Sequence, residues 1–397
     1  MLRPEMIAEA TRLTRTGRLV EATALLQRML RGESAPEPTS RTSQPALIRQ
    51  EPPIIDAKAN AVEENNSPDL ARAESRMLRE LLERTRERRG FRLQAVTERK
   101  PLSTSDIVPD GTRFIEGSYS NPAGSRVYKL FIPSRHQGQP RPLIVMLHGC
   151  TQFPDDFAAG TRMNFIAEEN SCFVVYPAQR SEANPAKCWN WFRAADQQRG
   201  SGEPSIIAGI TRQVMRDCSI DPHRVYVGGL SAGAAAAAIM GNAYKDLYAA
   251  IGIHSGLACG AAMDLPSALV AMREGGGSSH SVLFDDGPPV PTVVFHGDRD
   301  TTVHPSNGDQ MLARSMRAMS LQKKVDRGQV PGGHAYTRTI LSDASGRGIL
   351  EHWNIHGAGH AWSGGHPAGS YTDPKGPDAT REMLRFFLEH SLAQRSG

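Results

Sequence analysis

The amino-acid sequence predicts an α/β fold in which helices cover both faces of a mostly parallel central sheet. Beyond residue 112, short apolar segments alternate with segments of helical periodicity. The apolar segments are nearly continuous hydrophobic runs, which is typical of parallel strands buried on both faces. The predicted strands are 128–133, 142–149, 172–177, 224–229, 249–256, 292–297 and 351–357.

The helices predicted among these strands follow the same alternation. The segment 204–218 has helical character, and 231–240 is a run of small residues directly after a predicted strand. A further helix is predicted to end at 166–169, and an amphipathic helix over 379–390 closes the α/β region. In mostly parallel sheets, functional sites form outside the carboxyl ends of the strands, so we expect the chemistry in the loops there.

The first 111 residues differ in composition from the rest of the chain. Residues 1–31 have helical periodicity, and residues 32–70 hold six prolines among polar residues, which predicts a disordered linker. Residues 71–111 are predicted to form a basic helix and a connector, with Glu/Arg pairs at helical spacing. The α/β domain is expected to span 112–397.

Positive charge is concentrated in one segment. The whole chain has a net charge of +4, while residues 71–100 carry ten Lys and Arg against five Asp and Glu. The remainder is therefore close to neutral, which argues against a nucleic-acid binder. A solvated helix is the simplest explanation of the basic segment, and contact with an anionic surface is the alternative.

Two features bear on the compartment. The first residues lack the apolar core of a secretory signal, which predicts a cytoplasmic protein, with an extracellular one as the alternative. No segment has the roughly 20 apolar residues that a transmembrane helix needs.

The cysteines lack zinc-site spacing, and buried thiols are the simplest expectation, with one or two disulfides as the alternative. They are Cys150, Cys172, Cys188, Cys218 and Cys259.

A serine between a strand and a helix is the strongest functional signal. The segment 229–233, Gly-Leu-Ser-Ala-Gly, fits G-x-S-x-G between an apolar strand and a helix of small residues. Such a serine stands at the top of the sheet on a tight turn that requires small neighbours. The positive end of the helix dipole lies beside it. Ser231 is therefore the predicted nucleophile.

An acid is expected after the serine and before a histidine in the chain, because that is the order in folds with this elbow. Two aspartates follow the predicted strand 292–297. The pattern H-G-x-x-D-x-x-V favours Asp300 as the acid that orients the base, and Asp298 is the alternative, with a role in the turn.

The base is sought among the downstream histidines. These are His304, His352, His356, His360 and His366. His360 is the predicted base, because it lies in a glycine-rich loop directly after the last predicted strand.

Acyl transfer also requires hydrogen-bond donors for the oxyanion. One is expected to be the backbone N–H of Ala232, which follows the nucleophile. The other is expected in the loop after 142–149, where the N–H of Cys150 is preferred and that of Thr151 is the second choice. No metal site is predicted.

Several residues near the predicted site have two interpretations. Trp189, Trp191 and Trp362 are candidates for binding an acyl chain or a polymer surface, with ordinary packing as the alternative. His254 either shapes the pocket or is a satisfied histidine at a strand end. Residues 275–289 are predicted to be a flexible insertion that acts as a lid or is simply an exposed loop.

Six stretches together resemble the poly(3-hydroxybutyrate) depolymerase-like esterases of the α/β-hydrolase superfamily, which is also similar to feruloyl and acetylxylan esterases. The resemblance covers about 112–390. The stretches are 147–152, 188–192, 221–235, 253–260, 296–305 and 359–365.

The resemblance implies an α/β-hydrolase fold and a serine carboxylic-ester hydrolase that needs no cofactor. Ser231 would be the nucleophile, Asp300 the acid and His360 the base. The implied substrate is a hydroxyalkanoate ester or polyester, and a feruloyl or acetylxylan-type ester of plant polysaccharide is the alternative. A non-catalytic, granule-associated protein is the rival hypothesis. The N-terminal region would then be the part that contacts a polyhydroxyalkanoate granule.

Overall fold

The computed structural model describes residues 101–276, 289–318 and 320–395. Its strands are β1 (Arg113–Asn121), β2 (Gly124–Ile132), β3 (Arg141–Leu147), β4 (Phe173–Pro177), β5 (Ile220–Leu230), β6 (Ala250–His254), β7 (Thr292–Gly297), β8 (Gln322–Gln329), β9 (Ala335–Ser342), β10 (Gly348–Ile355), β11 (Trp362–Ser363) and β12 (Thr372–Asp373).

The helices lie mainly between the strands. They are α1 (Thr104–Ile107), α2 (Pro154–Thr161), α3 (Met163–Glu169), α4 (Gly202–Asp217), α5 (Ala232–Ala243), α6 (Leu265–Glu274), α7 (Ser306–Ala318) and α8 (Ala379–Leu388). Two short 3-10 helices cover Ala194–Gln197 and Leu392–Arg395.

Ten strands form one sheet in the order β1-β2-β4-β3-β5-β6-β7-β10-β9-β8. The six central strands, from β4 to β10 in that order, are parallel. The two strands at each edge are antiparallel additions. This is the mostly parallel α/β architecture that the sequence predicts.

The sheet separates two hydrophobic cores because successive side chains of a strand point to opposite faces. Leu143 and Val145 of β3 enter the core that contains α4 and α5, whereas Ile144 enters the core that contains α3 and α8. Val227 and Tyr226 of β5 divide in the same way. Burial on both faces explains why the central strands are continuous apolar runs.

The seven predicted strands correspond to β2–β7 and β10. Three strands of the sheet gave no sequence signal, namely β1, β8 and β9. The clearest case is β8, whose sequence QKKVDRGQ is mostly exposed at the sheet edge. An edge strand that buries little apolar surface lacks the hydrophobic pattern by which buried strands are recognised. Helices α6 and α7 were also not predicted.

Several predictions concern residues outside the described ranges. They are the helical segment 1–31, the linker 32–70, most of the basic region 71–111, and 277–288 of the predicted insertion. At the start of the described chain, Ile107 and Val108 are buried in the core with α3 and α8, so packing begins just before residue 112.

Candidate active site

The predicted nucleophile lies on a strained turn between β5 and α5. Ser231 has φ 57° and ψ −119°, a conformation that costs a non-glycine residue about 1–3 kcal/mol. Its N–H donates to the carbonyl oxygen of His254 at 2.9 Å. A Cβ at Gly233 would overlap the carbonyl oxygens of Leu147 and His148, so the helix can approach β3 this closely only with glycine there.

The predicted acid and base form a hydrogen-bonded pair. His360 Nδ1 lies 2.7 Å from Asp300 Oδ2, and both side chains are buried. Oδ1 of Asp300 accepts the N–H groups of Thr302 and Val303, each at 2.9 Å. Burial alone would raise the pKa of Asp300, but the charge of His360 and hydrogen bonds from His296 and His360 hold that pKa well below its usual range. Asp300 is therefore a carboxylate that orients the imidazole ring.

The loop that carries His360 is anchored over the end of β7. A Cβ at Gly297, the last residue of β7, would overlap the carbonyl oxygens of Ala358 and Gly359. The Arg299 N–H also donates to the Ala358 carbonyl oxygen at 3.0 Å. This close crossing brings the predicted base, which follows β10, to the predicted acid, which follows β7.

His254 connects the nucleophile to the base loop. Its carbonyl oxygen accepts the Ser231 N–H, and its Nε2 accepts the Ser363 N–H at 2.9 Å. Burial, together with the positive charges of His296 and His360, lowers the pKa of His254 to about 3. The ring is therefore neutral, with its proton on Nδ1 facing Ser255 Oγ at 3.3 Å. This agrees with a satisfied histidine at a strand end, and its two contacts make it a positioning residue.

The alternative acid belongs to a different pair. Asp298 Oδ2 lies 3.0 Å from His356 Nδ1, and its Oδ1 accepts the Gly357 N–H at 2.7 Å. His356 Nε2 in turn contacts Thr337 Oγ1 at 2.9 Å. This pair is largely exposed and fastens the turn after β10, whereas the Asp300 pair is buried beside the elbow.

The other candidate bases have partners elsewhere. His304 Nδ1 contacts Ser306 Oγ at 2.8 Å, and His366 Nδ1 accepts the Ala368 N–H at 3.3 Å. The ring of His352 is buried, and its Nδ1 lies 3.9 Å from an oxygen of Asp309.

The loop after β3 lies against the nucleophile. A Cβ built at Gly149 would be 3.6 Å from the Cβ of Ser231. The Thr151 N–H donates to the Ala186 carbonyl oxygen at 2.7 Å, so it is already occupied. That favours the N–H of Cys150 as the candidate oxyanion donor from this loop. Cys150 is also the first choice of the sequence analysis.

The second predicted donor is at the start of α5. Ala232 is the first residue of the helix, where backbone N–H groups have no carbonyl partner inside the helix. The helix dipole adds positive potential at the same end.

A disulfide joins Cys150 to Cys188. The simplest expectation, five buried thiols, is therefore wrong for these two residues. The bond connects the loop after β3 to the long loop after β4, a relation between distant segments that spacing alone does not reveal. Cys172, Cys218 and Cys259 are not in disulfides.

A polar network, missed by the sequence analysis, fixes the same loop. The Gln152 side chain accepts the Gly149 N–H at 3.0 Å and donates to Asp156 Oδ2 at 3.0 Å. It also donates to the Ser370 carbonyl oxygen at 3.2 Å. Asp156 accepts the Ser370 N–H at 2.9 Å. Gln152 and Asp156 are buried, so the network ties the loop after β3 to the chain beyond His360.

The predicted substrate-binding tryptophans are core residues. Trp189 is 0% exposed, Trp191 6% and Trp362 1%. The Nε1 of Trp362 donates to Thr380 Oγ1 at 2.9 Å, and its ring stacks on His254. Because these rings are almost entirely enclosed by protein, their burial favours the alternative of ordinary packing, and a role in substrate binding stays a prediction.

The described residues contain neither a cluster of metal-ligating side chains nor a membrane-spanning helix. No group of three or more His, Cys, Asp or Glu side chains among them could hold a metal ion. No helix in residues 101–276, 289–318 or 320–395 is long and apolar enough to cross a membrane.

The parallel sheet and the serine elbow between β5 and α5 define the α/β-hydrolase class, which confirms the predicted fold. The acetyl xylan esterase from Aspergillus awamori has the same fold, with a TM-score of 0.53 and 18% identity. That comparison covers 69% of this chain and 99% of the other.

The chain belongs to the family described as Esterase PHB depolymerase, whose family model matches residues 126–327, just over half of the chain. This match includes Ser231 and Asp300 and ends before His360.

Among curated proteins, this chain is similar to poly(3-hydroxyalkanoate) depolymerase C of Paucimonas lemoignei, with 31% identity over 252 residues. The match covers 61% of this chain and 59% of that protein. Feruloyl esterase B of Thermothelomyces thermophilus is 24% identical over 57% of this chain and 80% of its own length.

Proposed function

We propose that this chain is a serine carboxylic-ester hydrolase that acts through an acyl-enzyme. One observation carries the proposal: a buried Asp300–His360 pair, joined at 2.7 Å, lies in the loops that flank the strained Ser231 elbow. The relatives named above, a depolymerase and a feruloyl esterase, support ester hydrolysis as the reaction class.

In the proposed mechanism, Ser231 Oγ attacks the ester carbonyl while Nε2 of His360 takes its proton. Asp300 accepts a hydrogen bond from Nδ1 of the ring and stabilises the imidazolium that forms. The tetrahedral oxyanion accepts hydrogen bonds from the N–H groups of Cys150 and Ala232. His360 then protonates the leaving alcohol, and a water molecule hydrolyses the acyl-enzyme by the same steps in reverse.

The proposed substrate is a hydroxyalkanoate ester or a polyester of the poly(3-hydroxybutyrate) type. Similarity to a poly(3-hydroxyalkanoate) depolymerase supports this choice. A feruloyl or acetylxylan-type ester is the second candidate, supported by similarity to a feruloyl esterase.

The decisive experiment measures soluble 3-hydroxybutyrate released from amorphous polyhydroxybutyrate granules by the wild type and by Ser231→Ala. We expect release by the wild type and a loss of about 10⁴-fold or more in the variant, because the nucleophile is removed. Parallel assays with feruloyl and acetyl esters identify the second candidate: Ser231-dependent turnover of these esters without granule hydrolysis would reject the polyester substrate.

A non-catalytic protein is separated from an enzyme by covalent labelling. A fluorophosphonate probe should label the wild type at Ser231 and should not label Ser231→Ala. A correctly folded wild type that fails to label and hydrolyses no ester would contradict the proposed function.

Two finer proposals concern the surroundings of the enzyme. The Cys150–Cys188 disulfide supports an oxidising compartment, and thus the extracellular alternative over the cytoplasmic one. Attachment to a polyhydroxyalkanoate granule through the N-terminal region rests on the helical pattern and positive charge of that sequence. Binding of the full chain and of a chain starting at residue 101 to granules would test the attachment.

A further inference from the structure

Tyr371 combines exposure with a strained backbone. It is 45% exposed, and its φ of 52° lies in the left-handed region that favours glycine. The surrounding chain enforces this conformation: the Trp362 N–H donates to the Tyr371 carbonyl oxygen at 2.6 Å, and the preceding Ser370 is bonded to Asp156. A large aromatic residue held at such a cost on the surface calls for an explanation beyond packing.

The Tyr371 hydroxyl lies beside the oxyanion loop. It contacts Thr151 Oγ1 at 3.1 Å, and Thr151 directly follows Cys150. Thr151 is itself exposed and left-handed, with φ 65°. Since the backbone at Gly149 reaches the Ser231 side chain, a short run of chain separates these two hydroxyls from the nucleophile.

The two hydroxyl groups have hydrogen-bonding capacity beyond their mutual contact. Each can donate one hydrogen bond and accept two, and the contact between Tyr371 and Thr151 uses one donor and one acceptor. One O–H and several lone pairs are therefore not used by this contact. Phe153, two residues beyond Thr151 in the chain, is 44% exposed and offers an apolar surface on the same loop.

We propose that the Tyr371 and Thr151 hydroxyls determine substrate specificity by hydrogen-bonding an oxygen substituent on the acyl chain, close to the scissile carbonyl. The substrate class that fits is a 3-oxygenated acyl ester, with its short alkyl part against Phe153, in preference to an unsubstituted acyl ester. This inference rests on the proposed function and names a preference of the same site.

The test compares two esters that differ by one hydroxyl, p-nitrophenyl 3-hydroxybutyrate and p-nitrophenyl butyrate. The quantity measured is the ratio of their kcat/KM values in the full-length chain. The variants are Tyr371→Phe, which keeps the ring, and Thr151→Val, which keeps the branched shape. The matched control is Tyr119→Phe, on the edge strand β1.

We expect the wild-type ratio to favour the 3-hydroxy ester and to fall about tenfold in each site variant, the size of one neutral hydrogen bond. In the double variant the ratio should fall by about the larger of the two single-variant decreases and no further, because the hydroxyls act as a pair. The control should keep the wild-type ratio. A ratio within twofold of the wild type in both site variants, or a wild type without preference, overturns the inference.

Failure of the proposed function has a different signature. In that case hydrolysis of both esters would persist in Ser231→Ala or be absent from the wild type, and no ratio could be assigned to the site.

Discussion

The two halves of the candidate site are held by different kinds of structure. The strand-end half consists of Ser231, Asp300 and His360, each placed where a parallel strand of the central sheet ends. The loop half consists of residues 149–156 and 366–371, which belong to the connections outside the ten-stranded sheet. It is fixed by a disulfide and by a buried network around Gln152.

The two halves differ in the interactions that fix the positions of their residues. In the strand-end half, backbone hydrogen bonds of neighbouring strands set the positions, as when the Ser231 N–H meets the carbonyl of His254 in the adjacent strand. In the loop half, side-chain hydrogen bonds between segments far apart in the sequence set the positions. Gln152 and Ser370, for example, are 218 residues apart. We therefore expect the geometry of the strand-end half to depend on the sheet itself, and that of the loop half to depend on each connecting bond.

The largest expected effect comes from exchanging the acid. Asp300→Asn should lower kcat by about 10³–10⁴-fold, because a neutral amide neither fixes the tautomer of His360 nor stabilises the imidazolium. The measurement is steady-state hydrolysis of p-nitrophenyl butyrate at neutral pH.

Asp298→Asn is the matched control two residues away. It loosens an exposed pair with His356, so its effect on kcat should stay below about tenfold. If the two variants exchanged these outcomes, Asp298 would be the acid and the role proposed for Asp300 would be wrong.

The loop half should respond to loss of its disulfide. The double variant Cys150→Ser, Cys188→Ser opens a connection between residues 38 apart and should lower the free energy of unfolding by about 2–4 kcal/mol. It should also lower kcat about tenfold, because the N–H of residue 150, the proposed oxyanion donor, loses an anchor. Urea unfolding and steady-state kinetics measure the two effects, and Cys218→Ser serves as the matched control.

Thiol counting tests the bond directly. Labelling of the denatured, unreduced chain should modify three cysteines, and labelling after reduction should modify all five. Five labels without reduction would show that the loop half is held by its polar network alone.

The smallest expected effect is a pH dependence of the free energy of unfolding. It comes from a buried carboxyl group in the segment that follows Cys188. Asp196 is buried and its Oδ1 accepts the Glu203 N–H at 2.7 Å. Burial, reinforced by the negative charge of Glu203, raises the pKa of Asp196 to about 7. An unfolded Asp ionises near pH 4, so the folded chain holds an extra proton between about pH 4 and 7, and the free energy of unfolding falls as pH rises through that window.

Asp196→Asn should remove this dependence and stabilise the chain at pH 8 by about 1–4 kcal/mol relative to the wild type. Urea unfolding at pH 5 and pH 8 measures it, with the exposed Asp110→Asn as control. Equal losses of stability in wild type and Asp196→Asn between the two pH values would show that another group titrates.

The division between the halves also marks what the sequence could predict. The central strands and the elbow are local patterns, because continuous apolar runs and G-x-S-x-G are determined by neighbours in the chain. Residues Ser231, Asp300 and His360 were predicted from such patterns, and the structure brings the last two together, while their catalytic roles remain a proposal.

The loop half depends on partners that no local pattern identifies. The role of Gln152 depends on Ser370, and the environment of Trp362 depends on Thr380 and His254. An aromatic residue near a predicted base has the same local sequence whether it lies on the rim or in the core, which is why the sequence left both interpretations of the tryptophans open. Edge strand β8 was not predicted, because its exposed residues carry no apolar pattern.

Helix α5 has a consequence for how this scaffold can acquire new substrates. Its sequence, AGAAAAAIMGNA, is buried from Ala232 to Gly241, and small side chains fill its contact with the sheet. A larger residue there would push the elbow away from its neighbours, so this part of the protein offers little room for variation. New specificity should therefore arise by exchanging surface segments such as 366–371. Grafting that segment between relatives with different esters, with Ser370 kept for its bonds to Gln152 and Asp156, should transfer preference while leaving the elbow untouched.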